Sequence, residues 1–309
     1  MKNDRSRISV EFLGKRAATP LVLPAGIMGM TWSGMKYTWE NGCGIITSKS
    51  LTMEPRKGHA GPVIAEFEGG MLNCMGLCNP GIEEGLAEVN EFRKFYEVPV
   101  IVSIFATTID DFLTLTQKVN ESRGDFVELN LSCPNVSDEY GLPLAASKIK
   151  VAEIVSAVKM VSKIPVIAKL SPNVSGLTEI CTAAEAAGAD ALCLINTLGP
   201  GMLIDIDLQR SVLSNRTGGM SGPCVKPVAL RAVFEAYSRV KIPIIGTGGV
   251  SNGRDAVEML MAGASLVGVG SALYEGGIGI FEQINQDILT YMDQYGYGTI
   301  TDIPRLEKM

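Results

Sequence analysis

Short apolar runs alternate with longer amphipathic segments from about residue 20 to the C-terminus. The runs Pro20–Pro24, Gly44–Thr47, Val98–Phe105, Phe126–Leu131, Pro165–Leu170, Ala191–Ile195, Ile242–Gly246 and Leu266–Val269 have the length and composition of strands. Between them, Ile82–Phe95, Ile109–Arg123, Ser147–Ser162, Leu177–Ala187, Lys226–Val240 and Gly253–Ala262 carry helical patterns. Strands apolar on both faces, alternating with helices, build a parallel sheet covered by helices. Eight of them fit one α/β fold of the (β/α)8 TIM barrel type; a doubly wound sheet is the alternative. No linker rich in Pro, Gly or Ser divides the chain, so residues 1–309 are expected to form a single domain. Leu51–Gly81 and Asn196–Pro227 are too long for plain connections. Both follow predicted strands and are expected as inserted loops over the C-terminal face, where barrels keep their chemistry.

Composition narrows the function classes. Apolar residues make up 46% of the chain and charged residues 19%, enough for a large core and a polar surface. A net charge of −6 without a basic run argues against nucleic acid. No segment is long and apolar enough to span a bilayer, and the charged start Met1–Arg7 leads into no apolar signal core. Seven scattered cysteines read as reduced thiols of a cytoplasmic protein. With no Cys-x-x-Cys pair and His59 as the one histidine, no metal site or iron–sulfur cluster is expected within the chain.

The densest chemistry lies in Glu128-Leu129-Asn130-Leu131-Ser132-Cys133-Pro134-Asn135. Large apolar residues alternate with polar ones up to Leu131, and Pro134, lacking a backbone N–H, then stops the pairing. Cys133 is therefore expected at the carboxyl end of a strand, where a thiol can serve as a general base and the flanking amides can hold a planar polar ring by its edges; taken alone the motif could equally be structural, with the cysteine a small packing residue. Ile244-Ile245-Gly246-Thr247-Gly248-Gly249-Val250 follows the seventh strand, and Val267-Gly268-Val269-Gly270-Ser271-Ala272 the eighth. Glycines there let backbone N–H groups approach an anion, the arrangement of a barrel phosphate site. Ser48-Lys49-Ser50 follows the second strand, Lys169 ends the fifth, Asn196-Thr197 ends the sixth, and the first insertion carries the run from Gly70 to Gly81.

Taken together, these collinear motifs resemble the class 1 dihydroorotate dehydrogenases over roughly residues 20 to 275. The resemblance implies a flavin mononucleotide (FMN) barrel that oxidises dihydroorotate to orotate in pyrimidine biosynthesis. It implies Cys133 as the base that takes the C5 proton while hydride leaves C6 for the flavin. It implies substrate contacts from the amides of Asn73, Asn130, Asn135 and Asn196 with Thr197 beside them, and from the backbone N–H groups of Met75, Gly76 and Leu77. For the cofactor it implies Ala25, Gly26, Lys49, Ser50, Asn130, Lys169, Gly222, Gly248, Gly249, Gly270 and Ser271, with Lys169 stabilising negative charge on the reduced ring. The membrane-associated class carries serine in place of Cys133 and an added N-terminal segment, so the soluble branch is the one resembled. A homodimer is also implied.

Three positions depart from the family pattern. Ala25-Gly26-Ile27 stands where Ala-Ser-Gly is usual, Val63 stands where an arginine follows the last proline, and Val136–Gly141 lacks a glycine pair. Plainer roles compete elsewhere: His59 as a loop residue, and Cys43, Cys181, Cys193 and Cys224 as packing. Rival functions are a reductase of uracil-type rings on a similar barrel, and a flavin-free phosphosugar isomerase or lyase using the same phosphate loops. Electrons leave either directly to a small oxidant such as fumarate or through a partner subunit carrying FAD and an iron–sulfur cluster. The Met71-Leu72-Asn73 loop resembles the nicotinamide-linked branch, so the partner is expected.

Overall fold

A computed structural model describes residues 5–132 and 147–308. Cys133, Pro134, Asn135 and the 136–141 loop lie outside the described residues. Eight parallel strands close into a barrel: Leu21–Leu23, Ile45–Thr47, Val100–Ile104, Phe126–Asn130, Val166–Lys169, Ala191–Leu194, Ile244–Thr247 and Leu266–Gly268. Each pairs with its neighbours in chain order, and the first pairs with the eighth through Val267↔Leu21. These are the eight runs expected from the sequence, trimmed at their ends, save that the seventh runs one residue further, to Thr247. Pro99, Pro165 and Pro243 sit just outside their strands because proline has no N–H to give the ladder.

Helices follow the strands in turn and cover the outside of the barrel: Trp32–Glu40, Ile82–Phe95, Ile109–Asn120, Lys148–Val161, Leu177–Ala186, Lys226–Tyr237 and Gly253–Met261, then Ala272–Gly276 with Ile280–Tyr295. Their starts are fixed locally. Thr108, Ser147 and Asn252 each accept a hydrogen bond from the backbone N–H three residues on, the usual cap for the orphan donors of a first turn. Among the described residues, no helix is long and apolar enough to cross a membrane.

Alternation along the strands divides the core in two. Leu21, Leu23, Ile46, Val100, Val102, Val127, Leu129, Val166 and Ala168 face outward and pack under the helices. Val22, Ile45, Ile101, Phe126, Ile167, Ala191, Ile245 and Leu266, one from each strand, fill the lower barrel interior. A hairpin of Val10–Phe12 and Lys15–Ala17 closes the bottom. Its Phe12 ring meets Phe126 edge-on at 5.6 Å between centroids, and both are fully buried. Lys15 reaches Asp125, just before the fourth strand, at 2.7 Å, while Asp125 also accepts the Val100 N–H at 2.9 Å.

The two long insertions do not remain separate loops. Ile64–Phe67 and Gly70–Asn73 from the first pair with Leu198–Gly201 and Gly218–Ser221 from the second, as one four-stranded antiparallel sheet. Ala65, Leu72, Cys74 and Leu213 form a small core of their own beneath it, with Val63 and Met220 packed alongside. Val63, where the family pattern has arginine, is thus part of an apolar cluster.

The bottom plug makes a testable claim. Phe12→Ala removes a fully buried ring from the closed end of the barrel and should destabilise the protein by ~3–5 kcal/mol. Urea unfolding measures this, and a cost under ~1 kcal/mol would mean that the hairpin is not part of the core.

Candidate active site

The upper barrel interior is polar, because the inward positions change character along each strand. Above Ile101 comes Ser103, above Phe126 come Glu128 and Asn130, above Ile167 comes Lys169, and above Ile245 comes Thr247. All five of these polar side chains are buried. A buried polar group costs free energy unless it finds a partner, and Ser103 and Asn130 find theirs in the hydroxyls of Ser50 and Ser132, just past the strand ends.

Their bonds form a continuous chain across the mouth. Ser103 Oγ lies 2.9 Å from Ser50 Oγ. Asn130 Nδ2 donates to Ser50 Oγ at 3.0 Å, and Asn130 Oδ1 accepts from Ser132 Oγ at 2.7 Å. Asn196 Nδ2 donates to Ser132 Oγ at 2.5 Å, and Asn196 Oδ1 accepts from the Thr197 N–H at 2.8 Å. The ends of the second, third, fourth and sixth strands are thereby locked together. Asn130, expected as a ring-holding amide, is committed on both ends of its side chain and is 5% exposed. Asn196 and Thr197 are half-buried and closer to the open side. Ser103, Ser132 and Asn173 belong to the same construction, although the sequence did not single them out. Asn173 Nδ2 donates to the Thr197 carbonyl at 3.0 Å, and its Oδ1 accepts the Gly199 N–H at 2.8 Å. Ser132 and Asn173 lie just past their strand ends, and Ser103 holds the last inward position of its own strand.

The insertion sheet brings the predicted substrate loop to this chain. Asn73 pairs with Gly219, and a Cβ on Gly219 would stand 2.1 Å from Thr197 Oγ1, so Thr197 covers that glycine closely. After Asn73 the backbone turns through Gly76 at φ +69° and Leu77 at φ +57°, two successive left-handed residues. The Met75 carbonyl accepts the His59 N–H at 3.3 Å, and the Leu77 carbonyl accepts Asn79 Nδ2 at 2.7 Å. Loop carbonyls are therefore spent inward on His59 and Asn79. His59 Nδ1 lies 2.9 Å from the Cys74 carbonyl, consistent with a supporting role. Asn79, buried and also bonded to Thr52 and the Gly81 N–H, is the anchor of this segment.

Lys49 and Lys169 are both buried. The Lys49 N–H donates to the Gly29 carbonyl at 2.8 Å, and Gly29 is packed so closely that a Cβ there would stand 2.2 Å from the Thr47 carbonyl. The loop containing Ala25 and Gly26 is thereby pinned to the end of the second strand. Gly26 has φ +114°, a conformation that side chains rarely adopt, which accounts for glycine in place of serine there.

Gly222, Gly248 and Gly249 meet at the seventh strand end with φ of +101°, +128° and +75°. A Cβ on Gly249 would stand 2.7 Å from the Lys226 nitrogen and 2.8 Å from the Gly222 carbonyl. The approach requires bare backbone, beside the start of the Lys226–Tyr237 helix. Gly270 and Ser271 follow the eighth strand, half-buried. Bare N–H groups and a helix start suit an anion.

The remaining cysteines divide. Burial pushes the Cys43 and Cys181 thiols up to about 12 and raises Cys193 further, as expected of inert packing groups. Cys224 departs from that expectation: it is exposed, with Sγ turned to the Ser221 carbonyl at 3.7 Å, because it begins the first turn after Gly222 at the surface.

Comparison with known proteins agrees with this geometry. The family model described as dihydroorotate dehydrogenase matches residues 7–292. A relative from Pyrococcus abyssi, named dihydroorotate dehydrogenase B (NAD(+)), catalytic subunit, is 44% identical over 96% of this chain and 97% of its own. Relatives of the same name from Methanothermobacter thermautotrophicus and Alkaliphilus oremlandii are 41% and 40% identical, over 92% and 97% of this chain and 93% and 98% of their own. A closed parallel barrel with this polar mouth, matched along nearly its whole length, belongs to the dihydroorotate dehydrogenase family.

Proposed function

We propose that this chain is the catalytic barrel of a dihydroorotate dehydrogenase that binds FMN across its C-terminal mouth and oxidises dihydroorotate to orotate. The observation that carries the reading is the amide–hydroxyl chain from Ser103 to Asn196, which passes through Ser132, the residue before Cys133. A mouth of amides and hydroxyls suits the imide edge of a pyrimidine, which presents donors and acceptors alternately. The described barrel strands carry a single carboxylate, Glu128, set below the mouth, whereas a phosphosugar isomerase would call for acid–base groups at the strand ends.

FMN fits the residues present. Its phosphate would be held by Gly248, Gly249, Gly270 and Ser271 with Gly222 adjacent, and Ala25, Gly26, Lys49, Ser50, Asn130 and Lys169 would line its ring. When bound, it supplies a two-electron acceptor for the hydride that leaves C6. Cys133, as thiolate, takes the C5 proton. Asn73, Asn135 and Asn196, with Thr197, orient the substrate ring, and the Met75, Gly76 and Leu77 N–H groups receive its carboxylate. The carbonyls of Met75 and Leu77 are already engaged behind the loop, which favours N–H groups facing the mouth. Lys49 and Lys169 contribute positive charge that a dry site screens poorly. The relatives' printed name couples a catalytic subunit to NAD(+). A partner subunit that carries the electrons onward, and a barrel that pairs with a second copy of itself, complete the reading.

The phosphate assignment is tested with Ser271→Glu, which sets a negative charge beside the phosphate. The variant should fold normally by circular dichroism but bind FMN at least ~10-fold more weakly; a full flavin complement after purification would misplace the site.

Asn73→Ala and Asn196→Ala each remove an amide partner from the substrate ring. Orotate affinity, read from flavin absorbance, should fall by ~1–3 kcal/mol while flavin content holds. Unchanged affinity in both would remove these amides from the substrate site.

Cys133→Ser and Cys133→Ala test the base. Flavin reduction by dihydroorotate, followed by rapid mixing near neutral pH, should slow by ~10²–10⁴-fold in the alanine variant and less in the serine variant. In the parent chain the rate should climb with pH and level off as the thiol, of ordinary pKa ~8.5, ionises. An alanine variant as fast as the parent at every pH would make the cysteine structural.

A further inference from the structure

The eight barrel strands carry two charged side chains in all, the carboxylate of Glu128 on the fourth and the ammonium of Lys169 on the fifth. Both are inward and both are buried, Glu128 at 1% exposure and Lys169 at 4%. They lie on adjacent parallel strands, with Lys169 in register with Asn130, the next inward residue above Glu128. On its other side Lys169 is in register with Cys193 of the sixth strand. Burial raises the Cys193 thiol, and the nearby charges act on it in opposite senses, Glu128 raising it and Lys169 lowering it. Among the described residues, Glu128 Oε1 has no hydrogen-bond partner.

A carboxylate without water or a counter-charge is costly by several kcal/mol, and so is a lone ammonium. Among the described residues the two form no direct ion pair, but opposite charges on adjacent strands of one closed interior offset part of each other's cost. We infer that Glu128 is a positioning residue, the counter-charge that holds the Lys169 ammonium in the barrel and fixes how much of its positive field reaches the flavin. The inference rests on the proposed FMN reading, with Lys169 at the ring. Glu128 touches neither flavin nor substrate in this account; it acts through Lys169. The partly neutralised lysine stabilises negative charge on the reduced ring less than a lone lysine would, so the pair tunes the flavin's tendency to take electrons.

The test uses the full chain loaded with FMN, its midpoint potential measured by reductive titration against reference dyes. Glu128→Gln should move the potential to more positive values, corresponding to at least ~10-fold tighter binding of reduced relative to oxidised flavin. Lys169→Met should move it the other way. Glu128→Gln added to Lys169→Met should produce a much smaller shift than in the parent, and Glu128→Asp should stay near the parent value. A Glu128→Gln chain with the parent potential, or equal shifts in both backgrounds, overturns the inference. A parent chain that takes up no FMN overturns the reading beneath it instead. Should Glu128→Gln fail to fold, urea unfolding of Lys169→Met and of the double variant decides the pairing: the double should be the more stable of the two, and a double variant less stable than Lys169→Met overturns it.

Discussion

Closure of the parallel barrel is the constraint on which everything else depends. A strand in a closed barrel is buried on both faces, so each residue belongs either to the helix-facing core or to the interior. The interior is a fixed volume with one end plugged by Phe12 against Phe126. Apolar residues can fill its lower part, but the upper part must hold polar groups that satisfy one another. The chain from Ser103 through Ser50, Asn130 and Ser132 to Asn196 is the solution adopted, and it joins strands that are not neighbours in the ladder. The chemistry of the mouth and the stability of the barrel top are therefore one set of bonds.

That economy has a cost in freedom. Asn130 cannot present both ends of its amide to a ligand while it bridges Ser50 and Ser132. Asn196 and Thr197, nearer the opening, keep more exposed surface. Within one motif-like set of asparagines, depth in the barrel thus separates those that frame the site from those able to meet a substrate. The same depth argument distinguishes Lys169, confined beside Glu128, from residues on the rim.

Much of this was legible in the sequence, for physical reasons. Two-sided apolar runs, helical periodicity and the glycine turns after the seventh and eighth strands are local signals, and the structure follows them to within a residue or three at each end. The prolines at 99, 165 and 243 explain the later starts of the third, fifth and seventh strands. What the sequence concealed is non-local. Nothing near Asn73 announces that it will pair with Gly219, and a three-residue run such as Val10–Phe12 carries too little pattern to be read as a barrel plug. Glu128 was visible as one polar letter in an alternating strand, yet its isolation with Lys169 appears only once all eight strands are aligned. Cys224 misled because residue type alone does not distinguish a buried thiol from one at a surface turn.

The antiparallel sheet over the mouth draws on two stretches more than a hundred residues apart, joined where the inner strands Gly70–Asn73 and Gly218–Ser221 pair. Its small apolar cluster is separate from the main core. Each insertion alone is a two-stranded pair, marginal in water, and gains a covered inner edge only from the other. The pair should therefore open as one cooperative unit, with backbone amides from both stretches exchanging with solvent at a common free energy below that of global unfolding. Entry to the cleft would then be governed by the breathing of a miniature domain rather than by two independent flaps.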